Sequence, residues 1–253
     1  MKNDLFSIGN FTIHGYGLMI AIGIIAAYVM AEYRAKKYKL ESQYIFPLLI
    51  WGVVIGFVGA KVLYYITVLD EIIADPGRLL DVFDGFVVYG GIIAGIAAGY
   101  VFCRVKKLEF WKYLDLVVPS IALAQGFGRI GCFLAGCCYG IETSGPLALT
   151  FKDSAFAPNG VALVPTQVYS SIFDFANFAV LCLLARKNRV PGKISALYLI
   201  IYSIGRFTIE FFRGDLLRGA IGPLSTSQFI SVFVAVFGVI LLLRRSAVCN
   251  KNK

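Results

Sequence analysis

Residues Gly126–Gly140, Gly-Phe-Gly-Arg-Ile-Gly-Cys-Phe-Leu-Ala-Gly-Cys-Cys-Tyr-Gly, set one arginine among five glycines at the end of an apolar run. A fixed positive charge at membrane depth costs about 2.5–3.5 kcal/mol on insertion scales, so its retention asks for a reason. One reason is a buried anion site: the flanking glycines let a backbone or a ligand come close, and lipid phosphate is the anion at a membrane face. The other is that Arg129 snorkels to a headgroup or pairs with a buried acid. A second charged group follows later, where Arg206, Glu210 and Arg213 recur at i, i+4, i+7 and share one helical face. An acid between two arginines holds one guanidinium and leaves net positive charge able to grip a phosphate through two hydrogen bonds. For Arg206 the pattern points to function. For Arg213 a structural salt bridge near the interface is the favoured reading.

Other reactive groups are sparse. Lys61 lies inside an apolar run after Gly56 and Gly59, and either reaches a membrane surface or pairs with Asp174. Tyr89 precedes Gly90-Gly91, and these glycines with Gly95 and Gly99 have the spacing of close helix packing. A tyrosine there is most simply an interfacial anchor. The single histidine, His14, stands next to Gly15-Tyr16 and has a structural role by default. Six cysteines (Cys103, Cys132, Cys137, Cys138, Cys182, Cys249) lack a zinc-finger spacing and lie far from that histidine, so neither a metal nor a cofactor is expected. A disulfide among Cys132, Cys137 and Cys138 is chemically permitted if they face outside. Thiol–disulfide chemistry is a weak alternative function, because no Cys-x-x-Cys pair is present and adjacent cysteines make strained bridges.

The elements that must position these groups are membrane helices. The chain has 253 residues, is 58% hydrophobic, and has a mean hydropathy of +0.77. Apolar stretches near bilayer-crossing length recur at Tyr16–Tyr33, Tyr44–Leu69, Phe86–Cys103, Leu114–Gly131, Thr166–Ala185, Ser195–Phe212 and Ser225–Leu243. The expectation is an all-α polytopic membrane protein of about seven transmembrane helices, with 1–253 forming a single integral membrane domain. No cleavable signal peptide is apparent, since only Lys2 precedes the first span and no small-residue cleavage pattern follows it.

A net charge of +9 suggests nucleic acid, but its distribution argues against that partner. Basic clusters follow the first span (Arg34, Lys36, Lys37, Lys39), the third (Arg104, Lys106, Lys107, Lys112), the fifth (Arg186, Lys187, Arg189, Lys193) and the seventh (Arg244, Arg245, Lys251, Lys253). Intervening connections are acidic or mixed, as in Asp70, Glu71, Asp75, Asp81 and Asp84. This alternation puts the N-terminus outside and the C-terminus in the cytoplasm. Anionic-lipid attraction is a secondary effect of the same residues. Two longer connections, 70–85 and 141–165, then fall outside. The second is expected to form a small extracytoplasmic cap, with 148–151 and 161–164 as short strands.

Five ordered motifs together carry a resemblance. They are Phe6-Ser-Ile-Gly9 with His14-Gly-Tyr-Gly17, Asp84-Gly85 with Tyr89-Gly-Gly91, Gly128–Gly140, Pro165-Thr-Gln-Val-Tyr169, and Arg206-Phe-Thr-Ile-Glu-Phe-Phe-Arg213. With these, the chain resembles the bacterial prolipoprotein diacylglyceryl transferase family over nearly its full length. The resemblance implies a multi-pass enzyme of the cytoplasmic (inner) membrane with its site toward the outer leaflet. It implies transfer of the diacylglyceryl group of phosphatidylglycerol to the lipobox cysteine thiol in the signal peptide of a preprolipoprotein, forming a thioether and releasing glycerol phosphate. Arg129 and Arg206 are then catalytic, holding phosphate and stabilising the leaving group, with Glu210 orienting Arg206 and Tyr89 at the place of a proton-transfer group. Tyr16, His14, Gly90, Gly91, Cys132, Gly140, Gln167 and Arg213 are the implied substrate-binding positions.

This sequence departs from the family pattern in places. Tyr89 stands where a histidine is usual, and Cys132, Ala135 and Cys137 replace the signature's Asn, Asn and Glu. A phenol with a pKa near 10 is a poor base unless a cation lowers it. Those changes keep two alternatives in view: a lipid-group transferase with another acceptor, and a non-enzymatic protein that binds lipid phosphate.

Overall fold

A computed structural model describes residues 4–8, 11–80, 85–187, 190–215 and 219–251. Lys2, Gly9, Asp81, Asp84, Arg189 and Lys253, each used above, lie outside the described residues. In chain order the elements are the hairpin β1 (Asp4–Ile8) and β2 (Phe11–His14), then helices α1 (Gly15–Lys37), α2 (Ile45–Thr67), α3 (Leu69–Ala74), α4 (Val88–Val105) and α5 (Phe110–Ala135). The hairpin β3 (Leu149–Thr150) and β4 (Ala162–Leu163) precedes α6 (Thr166–Lys187) and α7 (Lys193–Glu210). A last hairpin, β5 (Ala220–Ile221) and β6 (Leu224–Ser225), leads into α8 (Thr226–Lys251).

The protein is a helical multi-pass membrane protein. Among the described residues, six helices are long and apolar enough to cross a bilayer: α1, α2, α4, α5, α6 and α8. The expected sixth span, Ser195–Phe212, is the helix α7, but Lys193, Arg206 and Glu210 in its 18 residues exclude it from that group. Hydrophobicity here turns outward. Phe57, Ile66, Ile93, Phe237 and Leu243 are all more than half exposed, as side chains solvated by hydrocarbon are. The N-terminal hairpin was not foreseen; the expected strands near 148–151 and 161–164 pair as β3 and β4, antiparallel.

The chain divides into two compact units, residues 1–31 with 114–253, and residues 32–113. Within the second unit, α2 and α4 run antiparallel, backbone against backbone. A methyl on Gly90 would lie 2.3 Å from the Gly59 carbonyl oxygen, and one on Gly59 would lie 2.7 Å from the Gly90 oxygen. Only glycine allows this approach, so Gly90 and Gly91 serve helix packing as their spacing suggests. The Lys61 ammonium lies over the rings of Tyr64, Tyr65 and Phe86, 4.8–5.4 Å from their centroids. An aromatic cluster thus meets the charge that the hydropathy pattern left without an obvious destination.

The first unit is held by polar contacts. At one end Asp115 of α5 accepts hydrogen bonds from the Gly192 and Ser195 amides (2.7 and 2.8 Å) and the Ser195 hydroxyl (2.6 Å). It thereby caps the N-terminus of α7 from a neighbouring helix, since Gly192 has no side chain to do so. Past the other end of these helices, the Ile141 amide donates to the Phe212 carbonyl (2.9 Å) and the Gly214 amide to the Tyr139 carbonyl (3.1 Å). α5 and α7 are tied at both ends, which fixes the axial register of Arg129 and Arg206.

Candidate active site

Arg129 sits on α5 about two turns before its C-terminus, and Arg206 lies one turn before the end of α7. Both line a single crevice together with Ser170, Phe173 and Asp174 of α6 and Tyr202 and Ile209 of α7. Two guanidinium groups on different helices thus share one polar recess inside an apolar bundle. Arg129 is in electrostatic contact with Tyr202, Cys132, Asp174 and Cys138. The helices come close enough because α5 is small where its neighbours are large. Gly126 faces the ring of Phe175, and its carbonyl accepts a hydrogen bond from Ser171 (2.9 Å). Gly131 receives Tyr16 and Met19 of α1.

Glu210 lies between the two arginines of its helical face. Its carboxylate is 2.9 Å from Arg206 and 3.9 Å from Arg213, and it accepts a 3.1 Å hydrogen bond from the Ser225 hydroxyl. Arg206 also donates to Ser227 of α8 at 2.9 Å, so two elements hold the one guanidinium. Arg213 differs. It grips Asp215 through two hydrogen bonds of 2.8 and 2.5 Å, and its side chain is buried. Burial lowers its pKa, but the hydrogen bonds to Asp215 and the Asp215 and Glu210 charges outweigh that and raise it above the ordinary value. The expected spare positive charge therefore does not come from Arg213, because Asp215 neutralises it. The cations facing the crevice are Arg129 and Arg206.

Gly140 pairs with Arg213 across an isolated bridge, and a methyl there would lie 2.5 Å from the Val164 carbonyl oxygen and 2.7 Å from that of Phe212. Gln167 is buried, and its amide donates to the Cys137 carbonyl at 2.8 Å while the Thr166 hydroxyl donates to that of Cys138 at 2.7 Å. Both residues at the start of α6 thus pin the loop that follows α5. Tyr16 opens α1 and has Arg129, Cys132, Cys137 and Cys138 as electrostatic neighbours. His14 ends β2 and is exposed. Tyr89, Gly90 and Gly91 belong to α4 in the other unit, with Tyr89 partly exposed at the helix start.

The loop geometry follows from a helix-stop motif. Gly136, at φ +75°, ends α5 in the left-handed conformation; its amide bonds to the Phe133 carbonyl (3.1 Å) and that of Cys137 to the Cys132 carbonyl (3.1 Å). These are the two hydrogen bonds of a Schellman turn, which folds the chain back over its last helical turn. Cys137 consequently lies over Cys132, its thiol 3.7 Å from the Cys132 carbonyl oxygen. Cys138, itself at φ +60°, is a non-glycine residue held left-handed. Hydrogen bonding to Cys132, then to Cys138, together with burial, pushes the Cys137 thiol well above its ordinary pKa. All three are thiols; no disulfide links them.

Reasoning from sequence missed Asp174 as a member of the crevice and Asp215 as the partner of Arg213. A signal for the first was present. Ser170, Asp174 and Asn177 recur at i, i+4, i+7 in an apolar helix, and all three are buried.

Comparison with known proteins places the chain. The family model described as prolipoprotein diacylglyceryl transferase matches residues 3–244. Proteins named phosphatidylglycerol–prolipoprotein diacylglyceryl transferase are similar over almost their whole length. One from Clostridium tetani is 49% identical over 239 residues, covering 94% of this chain and 96% of the relative. A second, from Clostridium perfringens and carrying the suffix 2, is 46% identical over 243 residues, 95% and 94% of the two chains. A third, from Finegoldia magna, is 36% identical over 246 residues, 96% of each. The chain therefore falls in a class of membrane transferases. The chain is a member of the prolipoprotein diacylglyceryl transferase family.

Proposed function

We propose that this protein transfers the diacylglyceryl group of phosphatidylglycerol to the lipobox cysteine thiol of a preprolipoprotein signal peptide, forming a thioether and releasing glycerol phosphate. The observation that carries the reading is the convergence of Arg129 and Arg206, from α5 and α7, on one recess. Phosphate is the leaving group in this reaction, and fixed cations aimed at it in a site poor in water stabilise the charge that develops there. The relatives' names supply the donor and the acceptor protein. Glu210 and Ser227 hold Arg206 in place, and Gln167 and Gly140 shape the loop beside Arg129. Tyr16 lines the donor pocket. His14, Tyr89, Gly90, Gly91, Cys132 and Arg213 complete the substrate-binding and proton-transfer positions that the family resemblance implies.

The same reading takes α7 as a seventh crossing, its charges facing the crevice and away from lipid, with the N-terminus outside and 141–165 forming an outer cap over a single 1–253 membrane domain. It places the protein in the cytoplasmic membrane. The test is incubation of the purified protein with phosphatidylglycerol and a lipobox peptide. A thioether-linked product by mass spectrometry is expected. Donor cleavage with no change in the peptide would instead identify another acceptor, and binding without cleavage would leave a lipid-phosphate-binding protein.

A further inference from the structure

Of the three cysteines beside the crevice, Cys137 and Cys138 have no part in the chemistry above and Cys132 enters it only as a position the family resemblance implies, yet the fold brings all three together. The Sγ atoms of Cys132, Cys137 and Cys138 all lie within 4.8 Å of one another. Three sulfurs bound to one tetrahedral ion at about 2.3 Å would sit roughly 3.8 Å apart, so small side-chain rotations close the remaining gap. The backbone beneath them is fixed at several points. The Schellman turn sets Cys137 over Cys132, and the carbonyls of Cys137 and Cys138 are pinned by Gln167 and Thr166. Thiolate sulfur selects soft or borderline ions such as Zn2+ over the oxygen-seeking Mg2+ and Ca2+. Compensating charge is at hand. Arg129 is in electrostatic contact with Cys132 and Cys138. Three thiolates around a divalent ion carry one net negative charge, which this cation offsets.

We propose that Cys132, Cys137 and Cys138 form a Zn2+ site with an open fourth position, and that this position takes the acceptor thiol as a thiolate. The second half rests on the transferase reading; the first does not. Three protein ligands and one exchangeable position is the pattern of a zinc ion that works on a substrate. A thiol that binds such an ion loses its proton outright. The acceptor sulfur bonds to Zn2+, displacing water, and its proton passes to solvent. A lone pair on that sulfur then attacks the glyceryl carbon. The carbon–oxygen bond to phosphate breaks, and its electron pair leaves on the phosphate oxygen between Arg129 and Arg206. Water returns to the ion, and no atom changes oxidation state. Zn2+ thus does the work of a general base in a chain whose Tyr89 is a poor one.

The test uses the full-length protein, reduced, in detergent or nanodiscs. Loaded with Zn2+ and desalted, it retains one ion per chain by elemental analysis, and Co2+ in its place gives sulfur-to-cobalt charge-transfer absorption. Ser substitutions at Cys132, Cys137 or Cys138 each weaken binding beyond the ~10–100-fold that loss of an outer partner costs. C103S and C182S leave it unchanged, and thermal melting of every variant confirms its fold. A cysteine lipobox peptide shifts the cobalt ligand-field bands, whereas its serine analogue does not. Absence of retained metal, equal retention by C137S, or a Cys132–Cys137 bridge in protein isolated without reductant would overturn the site. Full transferase rate in chelator-stripped protein overturns its catalytic role and leaves the transferase reading standing. Metal and peptide binding without any thioether from phosphatidylglycerol does the reverse.

Discussion

The α2–α4 pair and the α5–α6–α7 group both bury helix against helix inside hydrocarbon, by opposite means. In the first, Gly59 and Gly90 remove side chains altogether and the backbones touch. In the second, the contacting face of α6 is polar from Thr166 through Asn177, and cross-helix hydrogen bonds set the register. Lipid tails offer no hydrophobic drive for association, so close packing of small residues is the cheap solution. Polar groups at the same depth cost free energy and remain where they do something. The contrast separates scaffold from site without reference to any relative.

Five substitutions press on that contrast. Arg129→Ala and Arg206→Ala should each lower turnover by roughly 100- to 1000-fold, as loss of a preorganised charge-stabilising donor does. Membrane insertion and melting should be unchanged, and wild-type rates in both variants would remove the phosphate argument. Gly90→Leu should abolish activity by the other route. New atoms would meet the Gly59 backbone, at a cost above the ~1–3 kcal/mol of ordinary overpacking. Size-exclusion chromatography should then show loss of folded protein. Asp115→Ala should destabilise by about 1–2 kcal/mol, the scale of a lost helix cap, read as a lower melting temperature with kcat largely kept. Asp174→Asn removes the one carboxylate among the crevice-lining residues. Donor KM should fall a few-fold as repulsion of phosphate is relieved, and a rise would mean that Asp174 chiefly holds Arg129 in place.

How far the site could be read beforehand follows the same division. Arg129 and Arg206 stand out because charge in an apolar run is anomalous on its own, and Glu210 because four residues of helix bring it beneath Arg206. The Gly90 packing face was legible for the same local reason. Asp174 was weighed only against Lys61, since its face of α6 has meaning only once α5 and α7 are in place. Lys61 in turn rests among Tyr64, Tyr65 and Phe86, the last separated from it by a connection whose path no periodicity encodes. Asp215 follows Arg213 by two residues, outside helical spacing, and its bidentate pairing depends on how the chain leaves α7.

The cysteines mark the boundary most sharply. Spacings of five and one match no metal motif, yet a glycine-stopped helix folds exactly those spacings onto one point in space. What the amino-acid sequence determined by itself was local: helices long enough for a bilayer, the charges they carry, and the side of each helix those charges share. What only the tertiary structure decided was which charges and thiols meet. Pattern sets depth and face to within a helical turn, whereas ion pairs and metal ligands need atoms within a few ångströms, and helix packing alone sets that.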